Sequence, residues 1–305
     1  MIVPRSRQLL LHTVQYVGRP LLVLLAYDIF VVVAYKMGLL RWKALDEIPV
    51  SLFGSAIGVV LAFRNATSYA RWWEARTLWG AIVNNARSFG RQVTTVMRPR
   101  SESDEADLRM TQRRMVYHQI AYAHSLRQYL RRLEPWAELA PLLNETEIEE
   151  LRTKQNVPLA ILQEMGVMLR EAIDNGWIND IQSQQIERSL DDLADAQGGA
   201  ERLQNTPMPR QYDYFPQLFV QIYCVLLPLA MVSSLGWLTP LGSTLVGFIF
   251  LALDKIGRDL EDPFDNTEHD IPLTSITRTI EINLRQQLGE TEVPKPLAPV
   301  DGVLW

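Results

Sequence analysis

Residues 215–253, FPQLFVQIYCVLLPLAMVSSLGWLTPLGSTLVGFIFLAL, run without a single charged side chain. A helix needs about 20 mainly apolar residues to cross the roughly 30 Å hydrocarbon layer of a bilayer, so this stretch has room for two. Residues 215–235 form the first, with Pro228 inside it, and residues 236–253 the second, joined by little more than WLTP. A matching pair lies near the amino terminus. Residues 20–40 (PLLVLLAYDIFVVVAYKMGLL) carry Asp28 mid-segment and Lys36 near the end; residues 48–63 (IPVSLFGSAIGVVLAF) are uncharged but short. Core helices of soluble proteins seldom run this long without charge. Four such stretches in two pairs predict four transmembrane helices.

The basic residues set the orientation. Arg5, Arg7 and Arg19 precede the first span; Arg64, Arg71, Arg76, Arg87 and Arg91 follow the second; Arg202 and Arg210 precede the third; Lys255 and Arg258 follow the fourth. The excess of basic residues on one side places both termini and the long middle segment in the cytoplasm. The amino-terminal apolar run is too long for a cleavable signal peptide and has no A-x-A site after it. The predicted layout is a cytosolic segment 1–19, transmembrane helices 1 and 2 over 20–73, and a cytosolic helical region 74–213. Transmembrane helices 3 and 4 follow over 214–254, then a cytosolic segment 255–305.

The whole-chain figures are consistent with this layout and exclude several classes. The 305 residues carry Lys+Arg 30 against Asp+Glu 35, a net charge of −5, which argues against a nucleic-acid partner. One cysteine excludes an intrachain disulfide framework, and no CxxC pair can hold zinc. The mean hydropathy of −0.03 averages away the clustering of the apolar residues. In the middle segment Leu78, Trp79, Ile82, Val83, Ala86, Phe89, Val93 and Val96 make one apolar helical face. A second long helix starts near Asp104–Glu105 and stops before Pro135. NETE at Asn144 reads as a helix cap with an acid three residues on. Further helices cover 159–173, ending at Asn175–Gly176, then a pattern from Ile181 to Gly198–Gly199, and finally 274–288. No strand alternation or fixed repeat appears. The fold class is all-α.

Catalytic motifs are absent: no HExxH, P-loop, GxSxG or GxGxxG occurs. His118 and His124 are six residues apart and fall on different helix faces, so they do not share a metal. Cys224 sits inside a span as a small apolar filler. The acidic run Asp259, Glu261, Asp262, Asp265, Glu268, Asp270 is a solvated turn or a weak calcium site, with Asp265, Glu268 and Asp270 as the candidate ligands. The second span says more. Ser55, Val59 and Phe63 fall at i, i+4, i+8 on one face; Gly54, Gly58 and Ala62 occupy the adjacent face, a small-xxx-small pattern that lets helices approach closely. A ring of such helices would point Ser55, Val59 and Phe63 at a common axis, where apolar constrictions gate ion flow by dewetting. FRNATSYARWWEAR follows, with Trp72 and Trp73 marking the water interface.

FRNATSYARWWEARTLWG, followed downstream by GWL and DLEDPFDNTEHDIPL, resembles the bestrophin family of ion channels in its bacterial branch. Arg71, Trp72 and Trp73 match the family's RWW segment; Asp262, Pro263 and Phe264 match its NPF turn. The resemblance covers the whole chain in span order. It implies a homopentamer with one central pore, a helical cytosolic vestibule, and a neck lined by Phe63, Val59 and Ser55. Ser55 departs from the family's apolar residue there, so the outer ring is expected to be wetter. A second, cytosolic constriction falls on Ile181. Animal members hold calcium in the acidic turn and conduct chloride, and a bacterial member is cation-selective, so the implied cargo is small monovalent ions, cations slightly favoured. The turn has fewer consecutive acids than the animal pattern; no cofactor is expected, with calcium at the turn the less favoured reading. A membrane transporter or membrane-bound enzyme using Asp28 and the acidic turn, and a non-conducting helical scaffold, stay open as alternatives. An acid inside a span is costly and is a functional candidate by default, unless it pairs with an arginine of a neighbouring helix.

Overall fold

The computed structural model describes residues 16–39, 49–300 and 302–305. Among these the chain is helical, apart from an isolated bridge between Val300 and Val303. In chain order the α-helices are α1 (Arg19–Lys36), α2 (Val50–Val96), α3 (Glu105–Leu130), α4 (Trp136–Leu139), α5 (Glu145–Arg152), α6 (Val157–Asp174), α7 (Asp180–Asn205), α8 (Arg210–Leu235), α9 (Thr239–Asp259) and α10 (Leu273–Gln287). Contacts divide them into two units. A span unit holds the described residues up to Trp72 together with Pro207–Asp262, and a polar unit holds Trp73–Thr206 and Pro263–Trp305.

In the span unit, Val50–Val96 and Arg210–Asp259 contain stretches long and apolar enough to cross a membrane. Pro20 opens α1, where its missing N–H costs nothing. The span predicted over 20–40 stops earlier, at Lys36. Gly38 takes φ +77°, its N–H donates to the Tyr35 carbonyl at 3.0 Å, and the Leu39 N–H donates to the Ala34 carbonyl at 3.0 Å. That pair of bonds closes a helix on a left-handed glycine. α8 continues through Pro216 and Pro228, and Tyr27 of α1 donates to the Val225 carbonyl of the same helix at 3.2 Å. Small residues let the helices close up: a Cβ on Gly247 would overlap Leu24, and one on Gly54 would lie 2.6 Å from the Tyr223 hydroxyl. Leu24, Leu61, Val220 and Cys224 form the core there, with Cys224 a buried free thiol acting as filler.

In the polar unit, α2 buries Trp79, Ile82, Ala86, Phe89 and Val93 completely, the face its periodicity predicts. The NETE cap is present: the Asn144 side chain accepts from the Glu147 N–H at 2.9 Å and the Glu147 carboxylate accepts from the Asn144 N–H at 3.0 Å. Asn179 and Gln182 build a second such box at the start of α7. Gly198–Gly199, read from sequence as a stop, lies inside α7. A Cβ on Gly199 would come within 2.7 Å of the Leu78 side chain, so this glycine makes room for a neighbour rather than ending a helix. α2 runs unbroken for 47 residues, through the basic and aromatic stretch that follows the second span.

Candidate functional site

The span-unit part of α2 has two contrasting faces. Gly54, Leu61, Arg64 and Ser68 recur at helical spacing and are buried, Gly54 beside Tyr223 and Leu61 beside Val220 of α8, and Arg64 against Asp213 of α8 and Asp254 of α9. The opposite face leaves Ser55, Val59 and Phe63 uncovered, with Val59 56 % and Phe63 68 % exposed. The Ser55 hydroxyl donates back to the Ser51 carbonyl at 2.9 Å, which uses its proton and leaves its oxygen lone pairs outward. The three residues predicted to share a face do share one, and none of the described residues covers it. The adjacent small-residue row divides: Gly54 receives Tyr223, while a Cβ on Gly58 would meet nothing within 4 Å and Ala62 is exposed.

Directly beside this face sits a group the sequence reading did not single out. Arg64, one of the basic residues that follow the second span, is fully buried. Its guanidinium donates to the Asp254 carboxylate at 2.7 Å, pairs with Asp213, and stands 3.8 Å from Glu261. Asp254 also receives Arg258 at 3.0 Å. Arg71 donates from Nε to the Glu261 carbonyl at 3.1 Å. Burial, with Asp213 and Asp262 nearby, pushes the Glu261 carboxyl above its ordinary value, against the pull of Arg64 and Arg71. One signal in the sequence could have found the cluster: Arg64 and Asp254 are the first charges beyond two uncharged runs, and a buried charge requires a partner.

The remaining candidates separate. Trp72 is half-buried and stacks on Tyr69 at 6.3 Å; Trp73 is 56 % exposed. Asp262 is exposed, whereas Pro263 and Phe264 are buried, and the Pro263 carbonyl accepts from the Ile271 N–H at 3.4 Å, so Phe264 anchors the turn in the polar unit. The three calcium candidates do not converge. Asp265 and Glu268 are exposed, while buried Asp270 accepts from the Thr267 N–H at 2.9 Å and hydroxyl at 2.7 Å. Among the described residues no group of three or more His, Cys, Asp or Glu could hold a metal ion. Ile181, the second position of α7, is 76 % exposed. Asp28 is fully buried against α9, where Ser243 and Thr244 donate hydroxyls to it at 3.1 Å and 2.8 Å. The partners are hydroxyls rather than the arginine considered from sequence, because the residues that α9 presents to α1 at this level are small and polar.

His118 and His124 are both buried in the polar unit and share no partner. His118 Nδ1 donates to the Arg114 carbonyl at 2.9 Å, and His124 lies between Glu138 at 2.9 Å and Glu281 at 3.4 Å.

Comparison with known proteins follows the same pattern. The family model for bacterial and fungal bestrophin proteins matches residues 8–286. The voltage-dependent anion channel-forming protein YneE of Escherichia coli K12 is 36 % identical over 252 residues, covering 82 % of this chain and 80 % of that protein. The voltage-dependent anion channel-forming protein mll4386 of Mesorhizobium japonicum is 30 % identical over 273 residues, 88 % of this chain and 84 % of that one. The crystal structure of a bacterial bestrophin homologue from Klebsiella pneumoniae superposes with a TM-score of 0.81 at 33 % identity, covering 89 % of this chain and 98 % of that chain.

Proposed function

The chain belongs to the bacterial and fungal bestrophin family, and from this we propose that it is an ion channel of the bacterial inner membrane, a homopentamer around a pore lined by α2. The observation that carries the reading is the uncovered apolar face at Val59 and Phe63 on a helix whose other face is buried in its own chain. Five copies turned to one axis would stack Phe63 and Val59 as apolar rings with Ser55 as a wetter ring beyond them, a hydrophobic neck for small monovalent ions. Ile181, uncovered at the start of α7, would form the cytosolic constriction.

The neck face carries no charge, so it discriminates by the cost of dehydration rather than by the sign of the ion. Related proteins are named for anion channels, and the cation preference implied by the resemblance has no acidic side chain on this face. Anions are therefore the proposed cargo. Asp28, sealed against Ser243 and Thr244, offers no accessible carboxylate to a transporter mechanism.

The test is to purify the chain, measure its mass in detergent, and reconstitute it into vesicles with chloride or sodium as the permeant ion. A five-chain mass with chloride flux is expected. A monomer, or a pentamer that passes neither ion, would refute the reading.

A further inference from the structure

A buried arginine is an odd occupant for an apolar helix. A leucine would fill the same space without the cost of taking a guanidinium out of water, and buried ion pairs seldom add net stability over apolar packing. What such a group adds is geometric demand, because its planar fork is satisfied only when its acceptors stand at set positions. At Arg64 the two carboxylate acceptors come from separate places in the span unit, Asp213 at the start of α8 and Asp254 near the end of α9, and Glu261 in the turn after it adds an ion-pair neighbour at 3.8 Å. The site is shaped to receive the arginine. A Cβ on Gly257 would overlap the Asn65 side chain and lie 3.6 Å from Arg64 Nε, and the Asn65 amide donates to the Leu253 carbonyl at 3.0 Å. Arg64 and Asn65 thus fix the rotation of α2 about its own axis relative to α9.

Phe63 is the preceding residue, about 100° around the helix. With side chains lying 5–6 Å from a helix axis, a turn of about 20° would move the Phe63 ring by about 2 Å, enough to change the bore of a ring built from it.

We propose that Arg64 is the positioning residue of the neck: its buried lock to Asp213, Asp254 and Glu261 sets the rotation of α2 and thereby the projection of Phe63. The proposal rests on the assignment of Phe63 to the neck. Charged groups facing the lock are Arg64 and Arg71 of α2, Asp213 of α8, Asp254 and Arg258 of α9, and Glu261 and Asp262 beyond it.

A double-substitution cycle in reconstituted protein tests it, with the mass in detergent confirming assembly of every variant. The variants are F63A, R64Q and the pair. R64Q alone is expected to change flux about fivefold, within the range that substitutions in a coupling element produce. The same substitution on top of F63A is expected to change nothing further, because the ring it positions is gone. An equal fold-change in both backgrounds, or no change from R64Q in an assembled protein, overturns the lock. If R64Q does not assemble, E261Q takes its place in the cycle. It removes only the outermost contact, at 3.8 Å, and about a twofold change that disappears with F63A is expected. If F63A itself leaves flux unaltered, the neck assignment fails and the lock fails with it; if F63A raises flux while the cycle is additive, only the lock fails.

Discussion

Replacing Phe63 with alanine separates conduction from folding more cleanly than any other change to α2. Phe63 is 68 % exposed in the chain, so about a third of a side chain that offers roughly 200 Å² is covered by its own protomer. At about 25 cal/mol per Å² the truncation costs the folded chain at most about 1.6 kcal/mol. Leu61, two residues earlier and fully buried, would cost about 2–5 kcal/mol in the same exchange. F63A should therefore fold and assemble where L61A is impaired. At the neck the balance is reversed. An ion passing a ring of five phenyl groups sheds water and receives no polar group in return, and each 1.4 kcal/mol removed from that barrier raises the rate about tenfold. Opening the ring should raise chloride flux about tenfold or more, read as the rate of vesicle influx per assembled pentamer. Ala62 provides the contrast, being exposed but about 100° around the helix: A62L should lower the yield of pentamer rather than change the rate per pentamer. Unchanged flux from F63A at normal assembly would show that this face does not line the pore.

The polar unit should lose stability as pH rises through the neutral range. Burial alone would lower the His124 pKa, but Glu138 and Glu281 together hold it above its ordinary 6.5, so its contribution is full below that value and disappears as pH climbs through the raised pKa. H124Q should flatten the pH dependence of the thermal midpoint above about pH 6.5, and an unaltered slope would exclude His124 as its source. At the α1–α9 seam, G247A forces a methyl group into buried Leu24 and should cost about 1–3 kcal/mol; pairing it with L24A should cost less than the sum of the two changes, and strict additivity would refute the contact. D28L removes the acceptor for one buried and one part-buried hydroxyl and should lower stability by about 1–3 kcal/mol, with D28N milder; equal midpoints for wild type and D28L would mean those bonds contribute nothing. Because Asp270 is closed on Thr267 rather than open to a cation, a calcium chelator should leave flux unaltered, and a large loss of current would restore a metal role for the turn.

Features carried by short-range pattern were legible in the sequence. The uncharged run 215–253 appears as α8 and α9, NETE as a cap, and the spacing of Ser55, Val59 and Phe63 as one uncovered face, because helical periodicity depends only on neighbours a few residues apart. Errors arose where punctuation depends on context. Propensity marks Gly199 as a stop, while its setting is decided by Leu78, a residue of a different helix.

The supports of the candidate site were hidden for a related reason. Arg64 is bound to acids 149 and 190 residues further along the chain, a distance over which one sequence contains no geometric information. Any of the arginines following the second span could have been the buried one. Burial supplies the missing criterion, since a guanidinium with no access to water must have its acceptors within reach, and only α8 and α9 bring Asp213 and Asp254 to the turn of α2 that carries Phe63. The same helix therefore presents an uncharged face that local periodicity reveals and a charged anchor that only the tertiary fold reveals. On the proposed lock, the second is what makes the first a defined surface: without a fixed rotation, three residues spaced by four would have no common axis to face.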